Sequence, residues 1–432
     1  MSKYRTAYLN ARLLDPETNL DEHGDLLLED GRISDFGPGL FSDGSPSGAD
    51  IVDCGGHCLA PGLFDMRVQV REPGEEHMES IESAGRAAAA GGVTSIVCLP
   101  NTNPVIDDVS VVEFIARRAR EGKLIKVFCY GSLTRGMNGT ELTEMGLLAK
   151  TGVLGFTDGE KALSNPLVLR RALSYARTFN LLVIQHPEVA ELVEDGVMTE
   201  GEIATRLGLP GAPAEAEVMM VERDLRLVAL TGGRYHAAHV STAATIEVIR
   251  KAKRDGLNVT CDTAPHYFAL NETAIGDYRT FAKVSPPLRS ERDRQAVVEG
   301  LADGIIDAIA SDHSPYDQDS KRLPFVQAAY GIVGLETLLP LTLELYHNGS
   351  LTLLDALRKV TINPAKLLQQ PFGRLARGAP GDLVLFDPYK PHQIDVNAFH
   401  SKSKNSPFDK RPVQGVIHRT VVEGRAIYIN TE

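Results

Sequence analysis

LFDMRVQV (63–70), TSIVCLP (94–100), KVFCYGS (126–132), GVLGFTD (152–158), LLVIQH (181–186), YHAAHVS (235–241), NVTCDTA (258–264) and DAIASD (307–312) are eight strand-like runs. Most stay apolar until their last residues, as strands buried on both faces do. Helix patterns separate them: ESIESAGRAAAAGG, VSVVEFIARRAREG, PLVLRRALSYARTFN, AATIEVIRKAKRDG and SERDRQAVVEGLADG. Several of these end in glycine, a common helix stop. Eight β-α units in about 300 residues predict a closed (β/α)8 barrel of the α/β class. An open doubly wound sheet is the alternative, but no glycine fingerprint marks a first βα turn.

Outside these runs the texture changes. Residues 1–60 (TAYLNARLLD, GDLLLEDGRISDFG, ADIVDCGGHCLAPG) and 371–432 (GRLARGAPGDLVLFDP, VQGVIHRTVVEGRAIY) read as short strands punctuated by turns. The expectation is a barrel over 61–370 and one small β-sandwich built from both ends. No internal repeat and no low-complexity linker is present.

Bulk properties narrow the function classes. With 432 residues, 43% of them hydrophobic, the chain can bury one large core or two smaller ones. A net charge of −12 argues against a nucleic-acid partner. It leaves room for a small anionic substrate, because a pocket can be basic on an acidic protein. No run is long enough to span a bilayer, and MSKYRTAYLNARLLD lacks the apolar core of a signal peptide. Cys54, Cys58, Cys98, Cys129 and Cys261 are too few and too scattered for a disulfide framework. A cytoplasmic protein is expected.

In a barrel of this type the chemistry sits at the carboxyl ends of the strands. Run four ends in Asp158 and run five in His186. Run six contains His236 and His239. Run eight ends in Asp312, followed by His313. Imidazole and carboxylate are ligands for zinc or a similar divalent ion, and a remaining carboxylate can serve as general base. Taken singly, a strand-end histidine is more often packed or solvated, and a strand-end aspartate is often a helix cap. The joint pattern on four strands points to a metal site. His236, three residues from His239 on a strand, is expected to point the other way. Cys54-Gly55-Gly56-His57-Cys58 also looks like a metal motif, but it lies in the flanking β region with no second cysteine pair, so it reads as structural.

Longer motifs then carry a resemblance: APGLFDM (60–66), REPGEEHMESIESAGRAAAAGGVTS (71–95), PNTNPVIDD (100–108), HVSTAATIEVIRKAK (239–253), KVSPPLRSERDR (283–294), GIIDAIASDHSP (304–315), YGIVGLETLLPL (330–341) and SKSKNSPF (401–408). The chain resembles the type I dihydroorotases of the amidohydrolase superfamily almost end to end. The resemblance implies reversible cyclisation of N-carbamoyl-L-aspartate to L-dihydroorotate. It implies metal ligation by Asp158, His186 and His239, with Asp312 as general base. Arg71, Asn101, Ser285 and the Gly331 segment fall at substrate-contact positions, and a guanidinium fork suits a carboxylate.

Four positions depart from the family's pattern. Its first strand carries His-x-His, where this chain has Arg67-Val68-Gln69. Arginine stays protonated and has no lone pair to offer a metal, and glutamine offers only a weak carbonyl oxygen. Ser285 stands where the family has asparagine, and Tyr316 where it has histidine. One zinc ion per chain is therefore the most expected. Arg67 would place a fixed cation near Asp158 or Asp312. Two readings follow. One is a one-metal cyclic-amide hydrolase. The other is a non-catalytic subunit that supports aspartate carbamoyltransferase. Hydrolysis of another cyclic amide, such as a hydantoin, is a third, made less favourable by Arg71 and Asn101. A homo-oligomer is expected in each case.

Overall fold

The computed structural model describes residues 4–431 except 43 and 45. Barrel strands one to three are Leu63–Val68, Val93–Cys98 and Lys126–Cys129, paired in parallel in that order. Strands five to eight are Leu182–Gln185, Arg234–Ala237, Val259–Thr263 and Ala308–Ile309, again all parallel neighbours. Strand four is the least regular: Phe156 alone bridges to Gly131 on one side and Val183 on the other. A parallel bridge between Val68 and His313 closes the ring. The barrel predicted from the eight runs is thus the fold.

Phe64, Met66, Val97, Leu99, Tyr130, Leu182, Ile184, Ala308 and Ala310 fill the interior as one apolar cluster. Residues of opposite parity, such as Ile96, Cys98, Val183 and Ile309, pack outward under the helices. The predicted helices form at Ile81–Ala90, Val109–Gly122, Pro166–Thr178, Ala243–Arg254 and Glu291–Ala302. Side chains of Ser80, Asp108, Asn165, Thr242 and Ser290 cap their first turns. Glu215–Thr231, at 17 residues, is the longest helix among the described residues.

Strand one contains the irregularity that matters most. Asp65 pairs with Ile96 but Val68 pairs with Cys98, so three steps on strand one match two on strand two. Such a bulge reverses which residues face inward. Below it Phe64 and Met66 point into the barrel. Above it Val68 and Val70 join the outer core, and the side chains of Arg67, Gln69 and Arg71 turn to the mouth. The Tyr130 hydroxyl donates to the Met66 carbonyl at 2.8 Å and pins the bulge from inside.

Both ends of the chain build one eight-stranded sheet. Its order is Arg425–Ile429, Pro412–Val422, Leu383–Gln393, Cys58–Pro61, Arg5–Asp15, Leu20–Glu29 and Arg32–Gly37, with Asp50–Asp53 also pairing to Arg5–Asp15. Tyr8, Leu13, Leu26, Ile33, Leu59, Leu385 and Val421, spread across that order, share one small core, so the sheet curls around its own apolar face. The two layers expected of a sandwich are halves of this single sheet. Among the described residues, no helix is long and apolar enough to cross a membrane.

Candidate active site

The strand ends converge as a chain of polar contacts across the mouth. Arg67, only 2% exposed, donates from Nε to Asp312 Oδ1 at 2.8 Å. The other oxygen, Oδ2, lies 3.4 Å from His239 Nδ1 and 4.0 Å from His266 Nε2. His239 Nε2 in turn faces His186 Nδ1 at 2.8 Å, the rings edge-on at 69°. His186 Nε2 meets Glu188 Oε2 at 3.0 Å, which also accepts from the Ser285 hydroxyl at 3.2 Å. Asp312 and His239 both have positive φ, 52° and 38°, a conformation that aims a side chain at the cost of strain.

Electrostatics separates the two sides. Burial works against charge on Asp312, yet His239 and Arg67 hold its carboxyl far below the usual carboxylate range. Burial, and then the Arg67 charge, push His239 down to about 4. His239 is therefore neutral at pH 7, and Arg67 is the permanent cation that keeps Asp312 ionised. Burial likewise pushes His266 down to about 4, and neither of its ring nitrogens has a hydrogen-bond partner. Glu188 stays low despite its burial because His186 bonds it.

Two of the expected residues take other partners here. Asp158 does not meet Arg67 and is not gathered with the two histidines into a three-ligand cluster. Its Oδ1 accepts from the backbone N–H groups of Leu133 and Thr134, both at 2.9 Å, and its Oδ2 from the Thr134 hydroxyl at 2.5 Å. These three bonds turn the carboxylate toward the loop after strand three. Burial nevertheless leaves its pKa raised. Gln69 is engaged at both ends of its amide. Its amide donates to Glu160 Oε1 and Ser314 Oγ, both at 2.8 Å, and its carbonyl accepts from Asn101 at 3.1 Å. His236 bonds Thr260 and Asp262, away from this chain of contacts. His313 lies beside Glu79 and accepts from the Gly334 N–H.

Arg71 sits with φ 57° beside the mouth. Its Nε donates to the Pro315 carbonyl at 3.1 Å, its Nη1 reaches Glu75 at 3.3 Å, and its plane lies 4.4 Å from the Tyr316 ring centroid. The remaining Nη2 is buried without a partner, and so is Nη2 of Arg67. Gly331, at φ 110°, passes so close to strand eight that a Cβ there would lie 2.5 Å from Ser314 Cβ. Its carbonyl accepts from Asn405 Nδ2 and Lys321 Nζ, both at 3.0 Å, and Asn405 also bonds the Ser314 carbonyl at 2.9 Å.

Relatives match this chain over nearly its whole length. It is 45% identical to a dihydroorotase of Anaplasma phagocytophilum over 99% of this chain and 96% of that one. It is 47% identical to one from the Wolbachia of Drosophila simulans over 98% and 96%. A Dihydro-orotase-like family model matches residues 56–245. The chain belongs to the dihydroorotase family. Its fold is shared with an L-hydantoinase from Arthrobacter aurescens, at a TM-score of 0.88, 23% identity, and 99% and 97% coverage. A dihydropyrimidinase from Brevibacillus agri follows at 0.85 and 21%, covering 99% of this chain and 96% of that one. At these identities the likeness is one of fold.

Dihydroorotases are metal-dependent, and imidazole donors of the kind that hold such an ion meet here. Two imidazole nitrogens that face each other suit zinc, while Asp158 on the neighbouring strand is held by Leu133 and Thr134. The strand-one side does not fit a second ion, since Arg67 fills it and takes Asp312. Sequence reasoning missed His266, Glu188 and Thr134. His266 follows Pro265, two residues beyond the end of run seven. Glu188 lies two residues beyond a strand end, and Thr134 acts only through a partner 24 residues away.

Proposed function

We propose that the chain is a dihydroorotase of de novo pyrimidine synthesis, interconverting N-carbamoyl-L-aspartate and L-dihydroorotate at a site with one zinc ion. The observation that carries this is the pair of buried, partnerless Nη2 atoms on Arg67 and Arg71. Buried donors call for acceptors. Two fixed cations with donors to spare suit an open-chain substrate bearing two carboxylates. Arg71 would hold the carboxylate that the ring form keeps. Arg67 would offset the charge of the carboxylate that closes the ring. Asn101, Ser285 and the Gly331 segment would position the ring.

His186 and His239 would hold the ion, with Asp158 as third ligand once it leaves Thr134. When bound, the ion would supply Lewis-acid polarisation and an acidified water. Asp312 Oδ2 would accept the proton in the hydrolytic direction, and Arg67, bound to Oδ1, keeps the carboxylate ionised and oriented. A cytoplasmic location and a homo-oligomer go with this reading.

A second reading has its own observation. A carboxylate held as low as Asp312 by a guanidinium at 2.8 Å is a weak base. This favours a non-catalytic subunit supporting aspartate carbamoyltransferase. One set of measurements separates the two. Zinc content and turnover of dihydroorotate are measured for the chain alone and with its carbamoyltransferase, and then for His186→Ala. One zinc at the barrel mouth with activity, both lost in His186→Ala, supports the enzyme. No activity in either state, with complex formation intact, overturns it in favour of the subunit.

A further inference from the structure

We propose that His57, Asp387 and His418 form a second zinc site, outside the barrel, that clasps the two ends of the chain. One ligand atom from each lies within 4.8 Å of the others, the one such cluster among the described residues. The topology explains the meeting. Cys58–Pro61 pairs antiparallel with the start of Leu383–Gln393, Cys58 opposite Phe386, so the next step places His57 opposite Asp387. On the far side, Leu385 pairs with Arg419 and Phe386 with Ile417, which leaves His418 as the extra residue of a β-bulge. A bulge re-aims the side chain it carries. The imidazoles of His57 and His418 come to 4.6 Å between centroids at 30°.

Each donor is prepared for a cation. Asp387 Oδ1 accepts from the backbone N–H groups of Tyr389 and Lys390 at 2.8 and 3.2 Å, which orients the carboxylate. Its Oδ2 then faces His57 Nδ1 at 3.8 Å, longer than a hydrogen bond. His418 Nε2 is buried with no hydrogen-bond partner. Two imidazoles this close repel when protonated, and burial with the neighbouring His57 lowers the His418 pKa. A neutral imidazole is the form that binds metal.

Two nitrogens and one carboxylate oxygen select zinc over calcium or magnesium, with water as fourth ligand on the half-exposed side. Zinc bonds of about 2.0–2.1 Å require the donors to draw together slightly, which rotation of these half-exposed side chains allows. Cys54 and Cys58 stay out of the site: both are buried, and burial pushes each thiol up to about 12. The metal-like motif of the sequence thus contributes its histidine and not its cysteines.

The test must not read the barrel site. A full-length His186→Ala/His239→Ala variant, treated with chelator, is titrated with Zn2+ alone against a chromophoric competitor. The expected result is one bound equivalent, an X-ray absorption shell of nitrogen and oxygen without sulfur, and a zinc-dependent rise in Tm. Adding His418→Ala or Asp387→Asn should weaken binding at least about tenfold and abolish that rise. Absence of a bound equivalent in the folded double variant overturns the site. So does binding unchanged by His418→Ala, or sulfur in the shell. If the double variant does not fold, His418→Ala alone must lower the zinc stoichiometry of the otherwise unchanged chain by one, and unchanged stoichiometry overturns the proposal.

Discussion

The two sides of the barrel mouth solve one problem with different chemistry. Strands five and six present two imidazoles with facing nitrogens 2.8 Å apart, groups that take up or release a cation with conditions. Strand one presents a guanidinium bound to Asp312 at the same distance, a cation that neither dissociates nor titrates. A removable charge can polarise water, whereas a covalent one can only hold and orient. The comparison teaches that losing two ligands on strand one does not leave Asp312 uncompensated. The charge requirement is met by the chain itself.

The largest effect should come from Arg67→Met. It leaves the Asp312 carboxylate buried without its partner and should cost about 3–5 kcal/mol in denaturant unfolding. Arg67→Met/Asp312→Asn should recover most of that loss. If the single variant is silent, Arg67 does not stand in for a metal charge. Next, Arg71→Gln should weaken dihydroorotate binding roughly 10- to 100-fold by calorimetry, the worth of charged hydrogen bonds of about 1.5–3 kcal/mol. Unchanged affinity would move the carboxylate to Arg67. Gly331→Ala should cost about 1–3 kcal/mol, because φ 110° and the 2.5 Å approach to Ser314 both oppose a Cβ. Its thermal unfolding should fall while its zinc content stays unchanged.

The smallest effect concerns pH and His266. Its folded pKa, about 4, lies below the ordinary 6.5 because burial disfavours the charged form. The folded state therefore binds this proton only at lower pH than the unfolded chain. The stability it contributes is fully present above pH 6.5 and is lost as pH falls toward 4. The loss is about 1.4 kcal/mol per pH unit. His266→Gln, in zinc-free buffer, should flatten the acid limb of the stability curve by that slope. An unaltered limb would mean that His266 is solvated.

Much of this was legible because the barrel writes itself into the sequence. Eight apolar runs end where the mouth begins, so Asp158, His186, His239 and Asp312 could be found from their positions alone. Partner choice was not legible. Arg67 could be placed near Asp158 or Asp312, but the decision rests with Thr134, whose hydroxyl and N–H take Asp158 away. The bulge at Asp65–Val68 was equally hidden, since strict alternation from Phe64 would turn Arg67 outward. His57 could be noticed, but its companions lie more than three hundred residues along the chain.

That separation has a consequence for how the protein is made. Cys58–Pro61 needs Leu383–Phe386 as its neighbour. At synthesis rates of about 5–20 residues per second, the amino-terminal strands wait roughly 15–60 s for the strand that completes their sheet. During that interval Cys58–Pro61 has one open hydrogen-bonding edge on the ribosome-bound chain. The barrel, whose neighbouring strands are mostly consecutive, can form in the meantime. The order of birth would therefore be barrel first and terminal sheet last, with the nascent edge a natural point for a chaperone to guard.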